Sequence, residues 1–220
     1  MRLTWYGHAA FRVETSHGAV IMDPYNCPLA GGYSAIDDDA QVVTISHVNR
    51  KYHSDTSSIR RPYQLLNGLE FLDRPRAVTG LTFYSCLVHE DEERNGPNAM
   101  IRFTADQVEV AHMGDCGHAL GDEQLAFLRG VHVLLAPAGG PPTMALPDLI
   151  QVILEIRPRV VIPMHYKTPK INLPIRPVDE LLPIARRAEI PVRVVGSSII
   201  QFPPPRWPLE PEIWIMNHAR

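Results

Sequence analysis

The chain has 220 residues, of which 45% are apolar and 20% charged, and its formal net charge is −3. That length and balance suit a globular chain with a large core, read as one domain over residues 1–220. They count against a nucleic-acid binder, which usually carries a basic face, and no apolar run reaches membrane-spanning length. The start MRLTWYGHAAF lacks a signal peptide's basic and apolar regions, so the expected location is the cytoplasm. Cys27, Cys86 and Cys116 are too few and too scattered for a disulfide framework and read as buried thiols.

Leu3 to Tyr6, Phe11 to Glu14 and Ala19 to Met22 read as three short strands turned at Gly7-His8 and His17-Gly18. Asp23-Pro24 ends the third and leaves a carboxylate at its tip. A surface loop follows to Asp39. Val42 to Ile45 is a β-branched, buried strand that runs straight into Ser46-His47 and a polar loop. Thr56 to Gly68 reads as a short helix interrupted by Pro62. Ala77 to Leu81 and Thr82 to Val88 are strands, the second ending in His89-Glu90-Asp91. Asn98 to Phe103 and Gln107 to His112 pair as a hairpin around Ala105-Asp106.

Beyond this point strands and helices alternate. Val108 to Met113 leads into Gly114-Asp115-Cys116-Gly117-His118. Asp122 to Leu128 is a short helix, and Val131 to Ala136 is a buried strand. Pro147 to Ile156 is a helix with proline in its first turn. Arg159 to Pro163 ends in Met164-His165-Tyr166. A helix kinked at Pro183 spans Val178 to Glu189, followed by strands at Val192 to Val195 and Ile199 to Phe202. Residues 203–220 form a proline-rich tail. Its Trp207, Ile213, Trp214 and Ile215 need burial, which makes it a candidate arm for a homo-oligomer. Early strands followed by alternation suggest a sandwich of two sheets with helices outside.

Four strand ends present His47, His89, Asp115 and His165, a ligand set suited to zinc, iron or manganese. A single strand-end histidine is more often a satisfied core or surface residue; four together are less easily dismissed, though none forms a compact local motif and spacing alone leaves both readings open. Taken in order, LTWYGHAAFRV, Asp23-Pro24, VVTISH, HEDEERNGPNAMIRF, VAHMGDCGH, VLLAPAGG and VVIPMHYKT resemble the metallo-β-lactamase fold superfamily. Within it, the chain is similar to small cytoplasmic hydrolases such as ascorbate-6-phosphate lactonase. The resemblance implies a mixed α/β fold, a four-layer αββα sandwich, with a metal site at the edge of both sheets. It also implies hydrolysis of an ester, lactone or phosphoester by a metal-bound hydroxide, the cation lowering the pKa of water to about 7.

The family's His-x-His-x-Asp-His motif is degenerate here: His47, Val48, Asn49, Arg50, Lys51 and Tyr52 occupy its positions. Three readings follow. In the preferred one, a single divalent cation (zinc first, manganese or iron as alternatives) sits on His47, His89, Asp115 and His165, with Asn49 a feeble donor. Asp115 and His165 then carry the catalysis. In the second, ranked lower because it needs a different loop path, His53 replaces the histidine lost at position 52, and Asp55 the lost aspartate. In the third, the ammonium of Lys51 replaces the second cation beside Asp115, giving a non-catalytic protein that binds a small anion or a protein partner. By resemblance Asp23 sits behind the ligands and His8 lines the cleft. His118 and Tyr166 are candidates to reach substrate, and Lys167 to attract an anion. The substrate expected is a small molecule, and an anionic one fits Arg50-Lys51.

Overall fold

A computed structural model describes residues 1–220. One sheet has six strands in the order β13-β1-β2-β3-β4-β5: β1 (Arg2–Gly7), β2 (Ala10–Thr15), β3 (Gly18–Met22), β4 (Val42–Ile45), β5 (Gln64–Asn67) and β13 (Ile199–Gln201). The other has eight in the order β12-β14-β11-β10-β9-β8-β7-β6. These are β6 (Arg76–Val78), β7 (Leu81–His89), β8 (Pro97–Ala105), β9 (Val108–His112), β10 (Val133–Pro137), β11 (Val160–Met164), β12 (Val192–Val194) and β14 (Glu212–Ile215). Helices α1 (Asp122–Leu128), α2 (Leu146–Ile156) and α3 (Leu181–Arg187) lie in the connections of the eight-stranded sheet and pack side by side.

Alternation along the strands builds two cores. Leu3, Trp5, Phe11, Val13, Val20, Met22 and Val42 turn inward to meet Phe83, Phe103, Val110, Leu135 and Ile162 of the other sheet. Their neighbours Tyr6, Ala10, Ile21 and Val43 turn outward and are covered by Tyr25, Tyr33, Ile36, Ile171 and Ile175. The layered sandwich is therefore present, with helices outside the eight-stranded sheet and irregular segments outside the six-stranded one. Helix α2 buries Leu146, Leu149, Ile150, Ile153 and Ile156, the spacing of one helical face. The β8–β9 hairpin turns on Asp106 and Gln107, both with positive φ, as a two-residue turn matched to strand twist requires.

Two expectations change. Residues 56–68 form no helix. Pro62 removes an amide donor and biases Arg61 towards extended backbone, and Gln64–Asn67 instead pairs in parallel with β4. Nor does the tail hang free. β14 inserts between β12 and β11, Ile213 and Trp214 are buried, and Phe202 stacks on both Trp207 and Trp214. The apolar side chains assigned to a dimer arm are thus satisfied within the chain.

Strands β7, β9, β10 and β11 run in one direction, as do β3 and β4. Their carboxyl ends gather at one edge of the sandwich, where ligands of open α/β sheets usually bind.

Candidate metal centre

Asp115, just beyond β9, is the hub of a buried cluster. Its Oδ1 lies 2.7 Å from His165 Nε2 at the end of β11, and its Oδ2 lies 3.1 Å from His53 Nε2. Two groups of ligand atoms lie close enough to share an ion: His47, His53 and Asp115, and His8, His53 and His165. His8 and His53 are fully buried, and the His8 ring sits 4.1 Å from that of His165.

A second set of contacts fixes how these rings present themselves. Asp23, at the end of β3, accepts hydrogen bonds from the Ser46 amide (2.7 Å), the Ser46 hydroxyl (2.6 Å) and His53 Nδ1 (2.9 Å). Because Ser46 Oγ donates to Asp23, it accepts from His47 Nδ1 at 3.0 Å. One carboxylate thereby puts the Nδ1 proton on both His47 and His53 and turns both Nε2 atoms towards the cluster. The His8 carbonyl accepts from Trp5 Nε1 (3.0 Å) and the His165 amide (3.1 Å), tying the ends of β1 and β11 together. His8, Asp23 and His165 all have left-handed backbone, with φ of 51°, 42° and 51°, a conformation usually left to glycine.

Burial opposes charge here, but mutual contacts decide the outcome. It would lower the His53 imidazolium, yet Asp115 and Asp23 outweigh it and lift His53 to about 10. Burial would raise Asp115, yet His165 and His53 hold its carboxyl well below the usual range. His47 is pushed down to about 4 by burial and by the neighbouring His53. His8 is lowered well below its ordinary value, by burial first and then by His165 and His53.

The residues fit a divalent cation. His8 Nδ1 and Nε2, His47 Nε2, His53 Nε2, His165 Nδ1 and Asp115 Oδ1 are all enclosed without a hydrogen-bond partner. The short contacts of His53 Nε2 and Asp115 Oδ1 therefore lack hydrogen-bond angles and have the look of donors converging on a shared point. Buried polar atoms are normally satisfied, and imidazoles with a carboxylate are an ordinary set for zinc, manganese or iron. A surface hollow beside α3 lies elsewhere and has no histidine or cysteine in its wall.

The expected residues divide. His47, Asp115 and His165 meet as anticipated, and Asp23 stands behind them. His53, ranked lower, is at the centre. The Asn49 carbonyl accepts the amides of Tyr52, His53 and Ser54, and its side chain accepts from Tyr52 N at 3.3 Å. That tight turn occupies Asn49 as a loop cap rather than a ligand and swings His53 inward. Lys51 points the other way, exposed, with its ammonium 4.9 Å from the Tyr52 ring centroid. A strongly hydrated ammonium keeps its water there instead of replacing a cation beside Asp115. Tyr52 flanks His8 at 5.3 Å between ring centroids. Asp55 does not replace the lost aspartate, because it holds Asn26 and Ser57.

His89 falls outside both groups. Its amide donates to His118 Nε2 at 3.1 Å, and its ring lies 5.9 Å from that of His118. His118 is buried and holds its loop, donating through Nδ1 to the Ala119 carbonyl and accepting the His89 amide at Nε2. Tyr166 is buried against Trp5, 5.3 Å between centroids. Lys167 locks its own loop through the Ile171 and Leu173 carbonyls. Cys86 and Cys116 are buried thiols, raised by burial to about 11 and about 12. Two contributors were not foreseen. Ser46 was passed over as the residue before a histidine. Glu90, which follows His89 beyond a strand end, brings Oε1 to 3.4 Å from His47 Nε2.

A family model described as the beta-lactamase superfamily domain matches residues 2–165. The chain belongs to this family. A UPF0173 metal-dependent hydrolase of Opitutus terrae is 29% identical to this superfamily member, over 90% of this chain and 98% of that one. A UPF0173 protein of Pyrococcus abyssi is 27% identical over 76% and 84% of the two chains. Among solved structures, a candidate Zn-dependent hydrolase of the metallo-beta-lactamase superfamily from Thermotoga maritima superposes with a TM-score of 0.77 and 26% identity. That match covers 98% of this chain and 97% of the other. No helix of this superfamily member is long and apolar enough to cross a membrane.

Proposed function

We propose that this chain is a metal-dependent hydrolase working with one divalent cation, zinc first, on an ester, lactone or phosphoester bond of a small anionic substrate. The observation that carries the reading is the convergence of His53 and His165 on Asp115, with buried donor atoms left unpartnered around them. The names of the UPF0173 relatives support hydrolysis, and the Thermotoga maritima structure supports zinc.

His53 supports a single cation. Its Nδ1 is engaged by Asp23, so Nε2 is its only free donor, and both candidate groups need that one nitrogen. Such a cation supplies Lewis acidity, making water acidic enough to ionise near neutral pH and polarising a carbonyl or phosphoryl oxygen. The chain's own groups do the rest. Asp23 orients His47 and His53, and Asp115 stands against the His165 ring, with Oδ1 2.7 Å from Nε2. Arg50 and Lys51, exposed in the turn between His47 and His53, favour an anionic substrate.

Elemental analysis of protein purified without chelators tests this, together with assays on aryl esters, lactones and phosphodiesters before and after metal removal. One cation per chain and chelator-sensitive hydrolysis are expected. Folded protein without metal, or hydrolysis that survives both chelation and His53→Ala, would refute the proposal.

A further inference from the structure

We propose that His8 is a protein donor to the cation, which lies on the His8 side of His53, among His8, His53 and His165 with Asp115 as the neighbouring carboxylate. The assignment rests on the metal-dependent reading above and goes beyond it by choosing between the two overlapping groups.

Accounting for buried nitrogens makes the choice. A neutral imidazole carries one N–H donor and one acceptor nitrogen, and enclosed polar atoms are normally paired. His8 is fully buried, and both of its ring nitrogens are enclosed without a partner. A cation on the His47 side leaves both unmet. On the His8 side it takes one of them. His47 then still has Ser46 Oγ 3.0 Å from Nδ1 and Glu90 Oε1 3.4 Å from Nε2. His53 Nε2 and His165 Nδ1 are likewise enclosed and unpartnered, so each of the three rings has a nitrogen to spare.

Spacing permits the assignment. The ligand atoms of His8, His53 and His165 lie within 4.8 Å of one another. Imidazole nitrogens about 2.0–2.1 Å from zinc at tetrahedral corners put their ring centroids roughly 5 Å apart. The separations are 5.0 Å for His8 and His53, 5.6 Å for His53 and His165, and 4.1 Å for His8 and His165. His47 and His53, at 4.8 Å, fit as well, so burial and not distance separates the two sides.

The backbone fixes where the His8 ring stands. Gly7 has φ +133°, and a Cβ there would come 2.4 Å from the Tyr33 ring, so only glycine lets Tyr33 close over this turn. The His165 amide donates to the His8 carbonyl, joining the two ring-bearing residues directly. A Cβ on Gly139 would stand 2.3 Å from the His165 carbonyl oxygen, which holds that residue from its other side. Left-handed backbone at His8 and His165 is the kind of strain that collects at ligand sites.

The test is calorimetric titration of Zn(II) into metal-free wild type, His8→Gly, His8→Gln, His47→Ala and His53→Ala, with zinc X-ray absorption spectra that count imidazole ligands. Glycine relaxes the left-handed backbone at position 8, so His8→Gly removes the ring from a chain expected to stay folded, and thermal melts would establish this for each variant. Both position-8 variants should lose more affinity than the roughly 10–100-fold of an outer-shell change, and His8→Gly should show one imidazole fewer than wild type. His47→Ala should cost less than either. If folded His8→Gly keeps the wild-type imidazole count, if the position-8 losses stay within the outer-shell range, or if His47→Ala costs more, the assignment is wrong. The metal-dependent reading survives those outcomes provided His53→Ala loses the metal. If folded wild type takes up no Zn(II), both fall.

Discussion

His53 Nε2 and Asp115 Oδ2 face each other at 3.1 Å inside the sandwich, and His53 hands its other nitrogen to a second buried carboxylate, Asp23, at 2.9 Å. An imidazole between two buried carboxylates is at once a structural tie and a ligand turned towards the cluster. Removing it takes the imidazolium from between two buried carboxylates that keep only Ser46 and His165, and breaking such a buried pair costs about 3–5 kcal/mol. His53→Ala should lower stability by that order in chemical denaturation and abolish stoichiometric metal. Wild-type stability in the variant would show that the tie does not exist in solution.

The metal-free chain should be most stable near pH 6.5. His47, depressed to about 4 in the folded state, stays neutral while its unfolded counterpart protonates, so stability falls as pH drops from about 6.5 towards 4. His53, raised to about 10, keeps a proton that the unfolded chain has released, so its contribution is full below about 6.5 and lost as pH rises through 10. Denaturation curves from pH 4 to 10 would reveal the maximum. A cation displaces the His53 proton, so calorimetry in buffers of different ionisation enthalpy should show proton release at pH 8. Binding without release would contradict the charged state assigned to His53.

Lys51→Ala should be nearly silent. Its ammonium lies in water over Tyr52, and exposed substitutions of this kind stay within about 0.5 kcal/mol. Metal content and melting temperature should match wild type. A variant that gains a second cation would restore the ammonium to the role that the structure denies it.

Ile213→Ala should do the opposite, lowering stability by about 2–5 kcal/mol through a core cavity while leaving metal stoichiometry intact below the melt. Ile213 is fully buried between the partners of β14. A melt unchanged by this substitution would mean that the tail does not complete the sheet.

Much of the sandwich was legible because its strands are short, β-branched and bounded by turns. Val42–Ile45 and Asp122–Leu128 have the limits that their patterns indicate. The centre was legible only in part. His47, Asp115 and His165 follow apolar strands, and strand ends fix their direction. His53 lies at the far side of a turn whose path depends on Asn49 capping three amides, information carried by backbone hydrogen bonds and not by spacing. Ser46 was invisible for another reason: its relay from Asp23 to His47 exists only once β3 and β4 lie side by side.

Three residues of the centre, His8, Asp23 and His165, hold positive φ where glycine would be at ease, at about 1–3 kcal/mol each. Any screen that rewards ruggedness alone will favour glycine at those places and so dismantle the ion-binding chemistry while the scaffold improves. Heat resistance gained at positions 8, 23 or 165 is therefore a warning sign in an engineered descendant of this chain, and the functional assay belongs ahead of the melt.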